Sequence, residues 1–518
     1  MGLYDNNLFY LGLCVMVFAL QRIWLSLPKN SEIKHCILLD DKFCEFFFCC
    51  CISLSVASLF RLFPGNNRIP AEDSSVFLYI GRRMTEGKIP YRDLFDHKGP
   101  ILYLIEYLGA LCSPNSFSGI WVLEVLNLFF TAKLMCRLGR ELSYDRPCVF
   151  LAVMLSLGVC GWKVWQGGNF TEEYALPWIT LAACVFFSFI QTGSYHGRDV
   201  VLLGVGFAVV FLLRANMVLA WVAFVPAVIL ILAIKGRWSE IGKCTLWFSA
   251  GMLAVLLPIL ICLQVLDSLK AFWETYFLFN FLYTANASSG AGQIRTAIYF
   301  SRVLWPGTLA ALACLFAEPK QKIHWWNALF IAVSLFAAGM SGRGYYHYAI
   351  IILPAIVLPL TAVFSLMERW MVGKEQNRKT VSPLVMIVSF MLILIAAFSY
   401  RLMSSREEEI DPVAQYLQSN TEKSDDVLVL GNHCCSYLQS DRITENRFFY
   451  QLPPLEISDD LYTAFIEELS VHPSEVVVLP GTEDERSEID IALRGLRKTL
   501  LASGYHNDIY EEFEVFCR

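Results

Sequence analysis

Charge is scarce in this chain. Asp, Glu, Lys and Arg together make up 17% of its 518 residues, against 56% apolar ones. That ratio excludes an ordinary water-soluble globule, in which about a quarter of the residues are charged. The net charge of −6 is spread over loops and a tail, which argues against a nucleic-acid partner. Metal-type cysteine spacing is also missing. There are 17 cysteines, but no CxxC pair. Cys44, Cys49, Cys50, Cys51, Cys136, Cys160, Cys184, Cys262 and Cys314 lie inside apolar runs, where a thiol behaves as a small hydrophobe. Cys434 and Cys435 are adjacent, so neither a disulfide framework nor a zinc site is indicated. No internal repeat, low-complexity segment or half-to-half similarity is apparent.

What the chain does have is long apolar runs. A hydrocarbon core takes roughly 17–25 residues of helix to cross. On that measure spans are expected at 6–27, 44–63, 118–137, 147–162, 174–192, 199–213, 216–234, 244–266, 297–317, 325–340, 345–366 and 381–401, about twelve in all. The first run is too long, and too weakly basic at its front, for a cleaved signal peptide. The run 99–113 is short and holds Glu106, so it reads as a juxtamembrane or re-entrant helix.

Basic residues favour that count. With 28–43 on the cytoplasmic side (Lys29, Lys34, Lys42), the later cytoplasmic loops hold Lys133, Arg137, Arg140 and Arg146, then His196 and Arg198, then Lys235, Arg237 and Lys243. Lys320 and Lys322, and finally Arg369, Lys374, Arg378 and Lys379, follow the same pattern. Lys and Arg excess in short loops marks the cytoplasmic face. Counting 99–113 as a full span would put those loops outside. Loops 64–117, 163–173, 267–296 and 341–344, and the tail from 402, therefore fall on the other face.

That face gathers the unusual residues. The loop 64–117 holds a charged island, Asp73 to Leu104, whose segment YRDLFDHKGP crowds Asp93, Asp96, His97 and Lys98 against a membrane re-entry point. Ionisable groups there are costly and are functional candidates by default. WKVWQGGNFTEEYALPW sets Glu172 and Glu173 at the mouth of a span, among Trp162, Trp165 and Trp178. An aromatic belt with an acid pair in the first helical turn is the plain alternative. FLLRANM puts Arg214 and Asn216 in a short turn between apolar runs. An arginine with no acid beside it in sequence needs an anionic partner, and phosphate is the obvious one. A snorkelling arginine is the plain alternative. The loop 267–296 carries Trp273, Glu274, Tyr276, Asn280, Tyr283 and Arg295, and MSGRGYYHYAIIILP offers Arg343, His347 and Tyr348. Carboxylates act as general bases or hold a divalent metal. Cations hold phosphate, and aromatic faces suit sugar rings and prenyl chains. The set fits an enzyme that moves a sugar from a lipid-phosphate carrier.

An acid soon after a span, then GKIPYRDLFDHKGPILYL, NFTEEYALPW, LLRAN and YYHYAIIILP, in that order, resembles the GT-C glycosyltransferases over roughly 44–400. Within them it looks like the bacterial members of the dolichyl-phosphate-mannose-protein mannosyltransferase clan, related to protein O-mannosyltransferases and lipid A aminoarabinose transferases. The resemblance implies an all-α polytopic membrane domain with juxtamembrane helices and a polyprenyl-phosphate-linked sugar donor. It implies a glycan, lipid or protein acceptor and inversion at the anomeric carbon. It casts Asp73 as the catalytic base, with Glu72 beside it, and Glu172 and Glu173 as the second acidic site. Asp96, His97 and Lys98 sit where relatives bind the carrier phosphate or an ion. HKGP stands where several branches have EKPP, so Asp96 is the nearest substitute for a metal-binding acid and a divalent metal stays open. The implied setting is the bacterial plasma membrane, with the active site outside the cytoplasm.

The tail is a different kind of chain. Apolar strands at 427–430, in SEVVVLP and in YEEFEVFCR alternate with helical patterns at 458–470 and 484–503. That pattern argues for a small α/β domain with a largely parallel sheet. LGNHCCSYLQSDR follows a strand, but no glycine fingerprint accompanies it. The expected organisation is therefore an additional helix and loop over 1–43, a membrane domain over 44–401 and an extracytoplasmic α/β domain over 402–518. A secondary transporter or flippase of lipid-linked sugars, or a polysaccharide polymerase or ligase, remains the alternative on residues alone.

Overall fold

The computed structural model describes residues 41–64, 69–141, 146–287, 290–372, 410–510 and 512–518. The expected spans 6–27 and 381–401 lie outside the described residues. Among the described residues, six helices are long and apolar enough to cross a membrane: Ser118–Arg140, Arg146–Lys163, Thr171–Thr192, Ala215–Ile234, Trp238–Val265 and Tyr346–Met367. The chain is an integral membrane protein. Without water to satisfy the backbone, each span must bond its own amides, and helices result.

The other expected spans differ for local reasons. The runs 44–63 and 199–213 form helices of only 17 and 15 residues, Asp41–Ala57 and Gly197–Phe211. The helix Lys322–Gly339 carries Lys322, His324 and Asn327 and is less apolar. The run 297–317 breaks before Trp305 and Pro306 into Gly290–Val303 and Trp305–Ala317, bent by 91°. Pro306 sits at the start of the second piece, where a missing amide costs nothing. Counting that pair as one span gives seven among the described residues, against the twelve expected. The stretch 267–296, read from sequence as a loop, is mostly helical, with a π-helical turn at Trp273–Phe279 followed by the helix Asn280–Ala287.

The described residues fall into two compact units, one drawn from 1–63, 122–258 and 288–404, the other from 64–121, 259–287 and 405–518. The first is helical. Hydroxyls within it bond back one turn, as Ser53 does to the Cys49 carbonyl at 2.6 Å and Thr180 to that of Leu176 at 2.7 Å. Lipid gives helices no hydrophobic reason to associate, so close packing matters more. Gly204 and Gly251 supply it, because a Cβ on either would lie 2.0 Å from a carbonyl oxygen of the facing helix, Phe248 or Val201.

The second unit joins the helices Glu72–Thr85 and Pro100–Cys112 to a four-stranded sheet. Its strands are β1 (Val427–Val429), β2 (Val476–Leu479), β3 (His506–Tyr510) and β4 (Phe513–Cys517). Their order is β1-β2-β4-β3. Only β1 and β2 run parallel, with Val427 opposite Val476, while β4 pairs antiparallel with β2 and β3. The expected largely parallel sheet is thus corrected to a mixed one. The reason is β3, an entirely exposed strand without an apolar face, whose Tyr510 pairs antiparallel with Phe513 of β4. Buried Leu428, Leu430, Val477 and Phe516 share one apolar core with Phe95, Phe279 and Tyr283.

Candidate active site

In the second unit the site is built around Asp96. Its carboxylate is 1% exposed and takes three donors: Tyr450 at 2.7 Å and the His97 amide at 2.7 Å on Oδ1, and Tyr103 at 2.8 Å on Oδ2. Tyr103 lies one turn into the helix that Pro100 begins, and its hydroxyl also accepts from the Lys98 amide at 3.1 Å. Tyr91 donates to the Lys98 carbonyl at 2.8 Å, and Asn280 donates to that of His97 at 2.7 Å. The His97–Lys98 backbone is therefore held from every side. Lys98 Nζ lies 3.1 Å from His97 Nε2 and 5.6 Å from the centre of the Phe77 ring. An ammonium can only donate, so Nε2 accepts and Nδ1 carries the proton, turned towards Asp96 Oδ1 at 3.3 Å.

Burial pushes the Asp96 carboxyl up, but the Lys98 charge, His97 and the Tyr450 hydrogen bond outweigh it and hold the group well below the usual carboxylate range. A carboxyl that is more acidic folded than unfolded contributes stability that is complete above about pH 4. That contribution is lost as pH falls towards the folded value. The midpoint of thermal unfolding in detergent is therefore expected to fall on acidification. In Asp96→Asn it is expected to be lower at neutral pH and flatter in acid; parallel slopes for the two proteins would contradict this role.

Asp73 occupies the first turn of Glu72–Thr85, where unpaired amides favour a carboxylate. Burial first, then Asp96 and more weakly Asp73, pushes the Tyr450 phenol well above its ordinary range, so Asp73 lies within electrostatic reach of the Asp96 network. The helix is fixed to the tail at its other end. Arg83 bonds Glu445 at 2.8 Å, Lys88 meets the same carboxylate at 2.5 Å, Arg82 pairs with Asp441, and Tyr79 accepts from the Thr444 amide at 3.0 Å.

The first unit holds the remaining candidates. Glu172 and Glu173 open the helix Thr171–Thr192 and are 2% and 0% exposed. Glu172 pairs with Arg214 and accepts from Thr171 at 2.7 Å. The anion that Arg214 was expected to seek is thus supplied within the protein, 42 positions earlier. The Arg214 guanidinium also lies 4.1 Å above the Tyr348 ring. Charges in a span pair in this way because a lone one is costly. Glu173 accepts from the Asn169 amide at 3.0 Å. Asn216 donates to the Ala337 carbonyl at 3.3 Å, and half-buried Arg343 follows Ser341, whose hydroxyl accepts its amide at 3.3 Å. His347 stacks on Phe170 at 4.3 Å, 4° from parallel, and bonds Gln166.

The candidates thus form two groups, Asp73, Asp96, His97 and Lys98 in one unit and Glu172, Glu173, Arg214, Asn216, Arg343, His347 and Tyr348 in the other. Gln166, Tyr103 and Tyr450 carry no sequence signal that marks them as parts of the site, whereas Asn280 stands among the residues noted in the 267–296 stretch. No group of three or more His, Cys, Asp or Glu arranged to hold a metal occurs among the described residues. Both Asp96 oxygens face protein donors, so no step is routed through a metal here.

The fold is of the GT-C type, the class the motifs implied. Two crystal structures of ArnT from Cupriavidus metallidurans share it. The structure bound to undecaprenyl phosphate superposes with a TM-score of 0.57 at 10% identity, covering 90% of this chain and 97% of that one. The apo structure gives 0.56 at 11% identity, covering 89% and 95%. At such identity the likeness is one of fold. Residues 42–263 match the family model described as "Putative competence-induced protein Ccs4 N-terminal domain". No curated protein matches the chain.

Proposed function

We propose that the protein is a glycosyltransferase that moves a sugar from a polyprenyl-phosphate carrier to an acceptor hydroxyl at the extracytoplasmic face of a bacterial plasma membrane. The observation that carries this reading is an aspartate, histidine and lysine set, bonded to one another, in a fold shared with ArnT, which was crystallised bound to undecaprenyl phosphate. In the mechanism, Asp73 accepts the acceptor's proton as its oxygen attacks the anomeric carbon, and the carrier phosphate leaves with inversion. That leaving group is an anion and needs charge more than a proton. Lys98, whose backbone is held by Tyr91 and Tyr103 and whose ammonium meets His97 Nε2, supplies that positive charge. Arg214, Arg343 and His347, with Glu172, Glu173, Asn216 and Tyr348, make a second set suited to binding substrate.

The test is turnover of a panel of undecaprenyl-phosphate sugars by the protein in liposomes. Stoichiometric release of undecaprenyl phosphate with glycosylated product is expected. Movement of intact lipid-linked sugar across the bilayer, with no release, would instead make the protein a flippase.

A further inference from the structure

Between two spans the chain turns through four successive left-handed residues, Gln166 (φ 45°), Gly167 (104°), Gly168 (84°) and Asn169 (62°). Glycine takes such angles without strain, but Gln and Asn do so at a cost, and such strain persists only where the surroundings hold it. Space also forbids a side chain at the middle positions. A Cβ on Gly168 would lie 2.5 Å from both Glu124 and Phe60, and one on Gly167 would lie 2.8 Å from Arg61. The loop is therefore held in one form, and that form delivers the Gln166 side chain to His347.

The contact is specific in its chemistry. Gln166 Oε1 lies 3.0 Å from the His347 amide nitrogen and 2.9 Å from His347 Nδ1. A backbone amide can only donate, so the atom facing it is the amide oxygen, not the nitrogen. That oxygen can only accept, so Nδ1 must carry a proton. Meanwhile Phe170 at 4.3 Å and Tyr345 at 5.8 Å lie nearly parallel to the imidazole, and Tyr348 meets it edge-on at 4.7 Å. A tilt of the ring would break the stacking, and a half-turn would put a carbon where Nδ1 meets Gln166, so one orientation keeps all these contacts.

We propose that Gln166 is a positioning residue, whose amide oxygen fixes His347 as the Nδ1-protonated tautomer so that the ring engages a bound sugar-phosphate through Nε2. The neutral ring then accepts from a sugar hydroxyl, and the charged ring donates to a phosphate oxygen, through the same atom. The engagement of substrate rests on the glycosyltransferase reading, whereas the tautomer does not.

The experiment separates the two. Full-length protein is labelled with ¹⁵N-histidine, reconstituted in lipid and studied by solid-state NMR, with His347 assigned by difference against His347→Gln. Wild type and Gln166→Glu, which keeps an acceptor oxygen, are expected to show a protonated Nδ1. Gln166→Leu is expected to show a mixture of tautomers. A protonated Nε2 with bare Nδ1 in wild type, or an unchanged spectrum in a folded Gln166→Leu, would overturn the assignment. In the transfer assay Gln166→Leu is expected to raise KM for the lipid-linked donor about tenfold, with Gln166→Glu restoring it. Unchanged KM beside a changed tautomer would overturn engagement of the donor through Nε2. If no variant and no wild type turns over donor, the NMR result stands and the transferase reading is what fails.

Discussion

Asp73→Asn is expected to lower turnover of a polyprenyl-phosphate sugar by about 10²–10⁴-fold, the usual contribution of a positioned general base. Asparagine matches the shape of aspartate and can still accept a bond at the helix start, so folding and insertion should survive. It cannot take a proton. Donor KM is expected to stay within a few fold, because the lost interaction forms only as the acceptor oxygen begins to attack. Glu72→Gln is the control. Glu72 shares the first helical turn but is more exposed, and its charge acts on His433, whereas that of Asp73 acts on Tyr450. Near-normal activity in Glu72→Gln with near-complete loss in Asp73→Asn identifies the base. The reverse pattern would move the role one residue back, and full activity in both would remove it from this helix.

Arg214→Met is expected to destabilise the protein by about 3–5 kcal/mol, the cost of leaving one partner of a buried ion pair uncompensated. The variant strips the Glu172 carboxylate, 2% exposed, of its ion-pair partner, leaving the Thr171 hydroxyl, its own backbone amide and nearby His347, and it removes the cation from the Tyr348 ring. Glu172→Met alone strands the guanidinium and is expected to cost a similar amount. The double variant replaces both charges with apolar side chains of comparable length and is expected to recover much of the loss. Denaturant unfolding of the four proteins in one detergent gives the coupling energy directly. Purely additive effects would mean the two charges are not paired in the folded protein.

The membrane class was legible because the bilayer reads composition, and long apolar runs are hard to hide. The Asp96–Lys98 segment stands out in sequence too, since charge is conspicuous in a chain with so little of it. Its partners do not. Tyr450 lies 354 positions from Asp96, and no local pattern marks one tyrosine among 22 as a ligand of a distant carboxylate. Gln166 escaped because Gly-Gly signals a turn but not the four left-handed residues that carry its side chain to His347. For Arg214 the sequence suggests phosphate as the anion, because Glu172, the acid with which it pairs, lies 42 positions away and no local pattern links the two. Strand direction failed for the same kind of reason. Interleaved helices favour parallel pairing, but the final hairpin needs no crossover, and the polar pattern of β3 gave no sign of a strand.

The ties between the helix Glu72–Thr85 and the tail have a consequence for how the chain is made. The Tyr79–Thr444 contact joins positions 365 residues apart, and Arg83, Arg82 and Lys88 meet Glu445 and Asp441 at similar separations. A ribosome delivers that helix early and its partners only near the end of synthesis. The proposed base therefore cannot be locked in place until translation is nearly finished, and a nascent chain stalled before the last hundred or so residues would be inserted but inert.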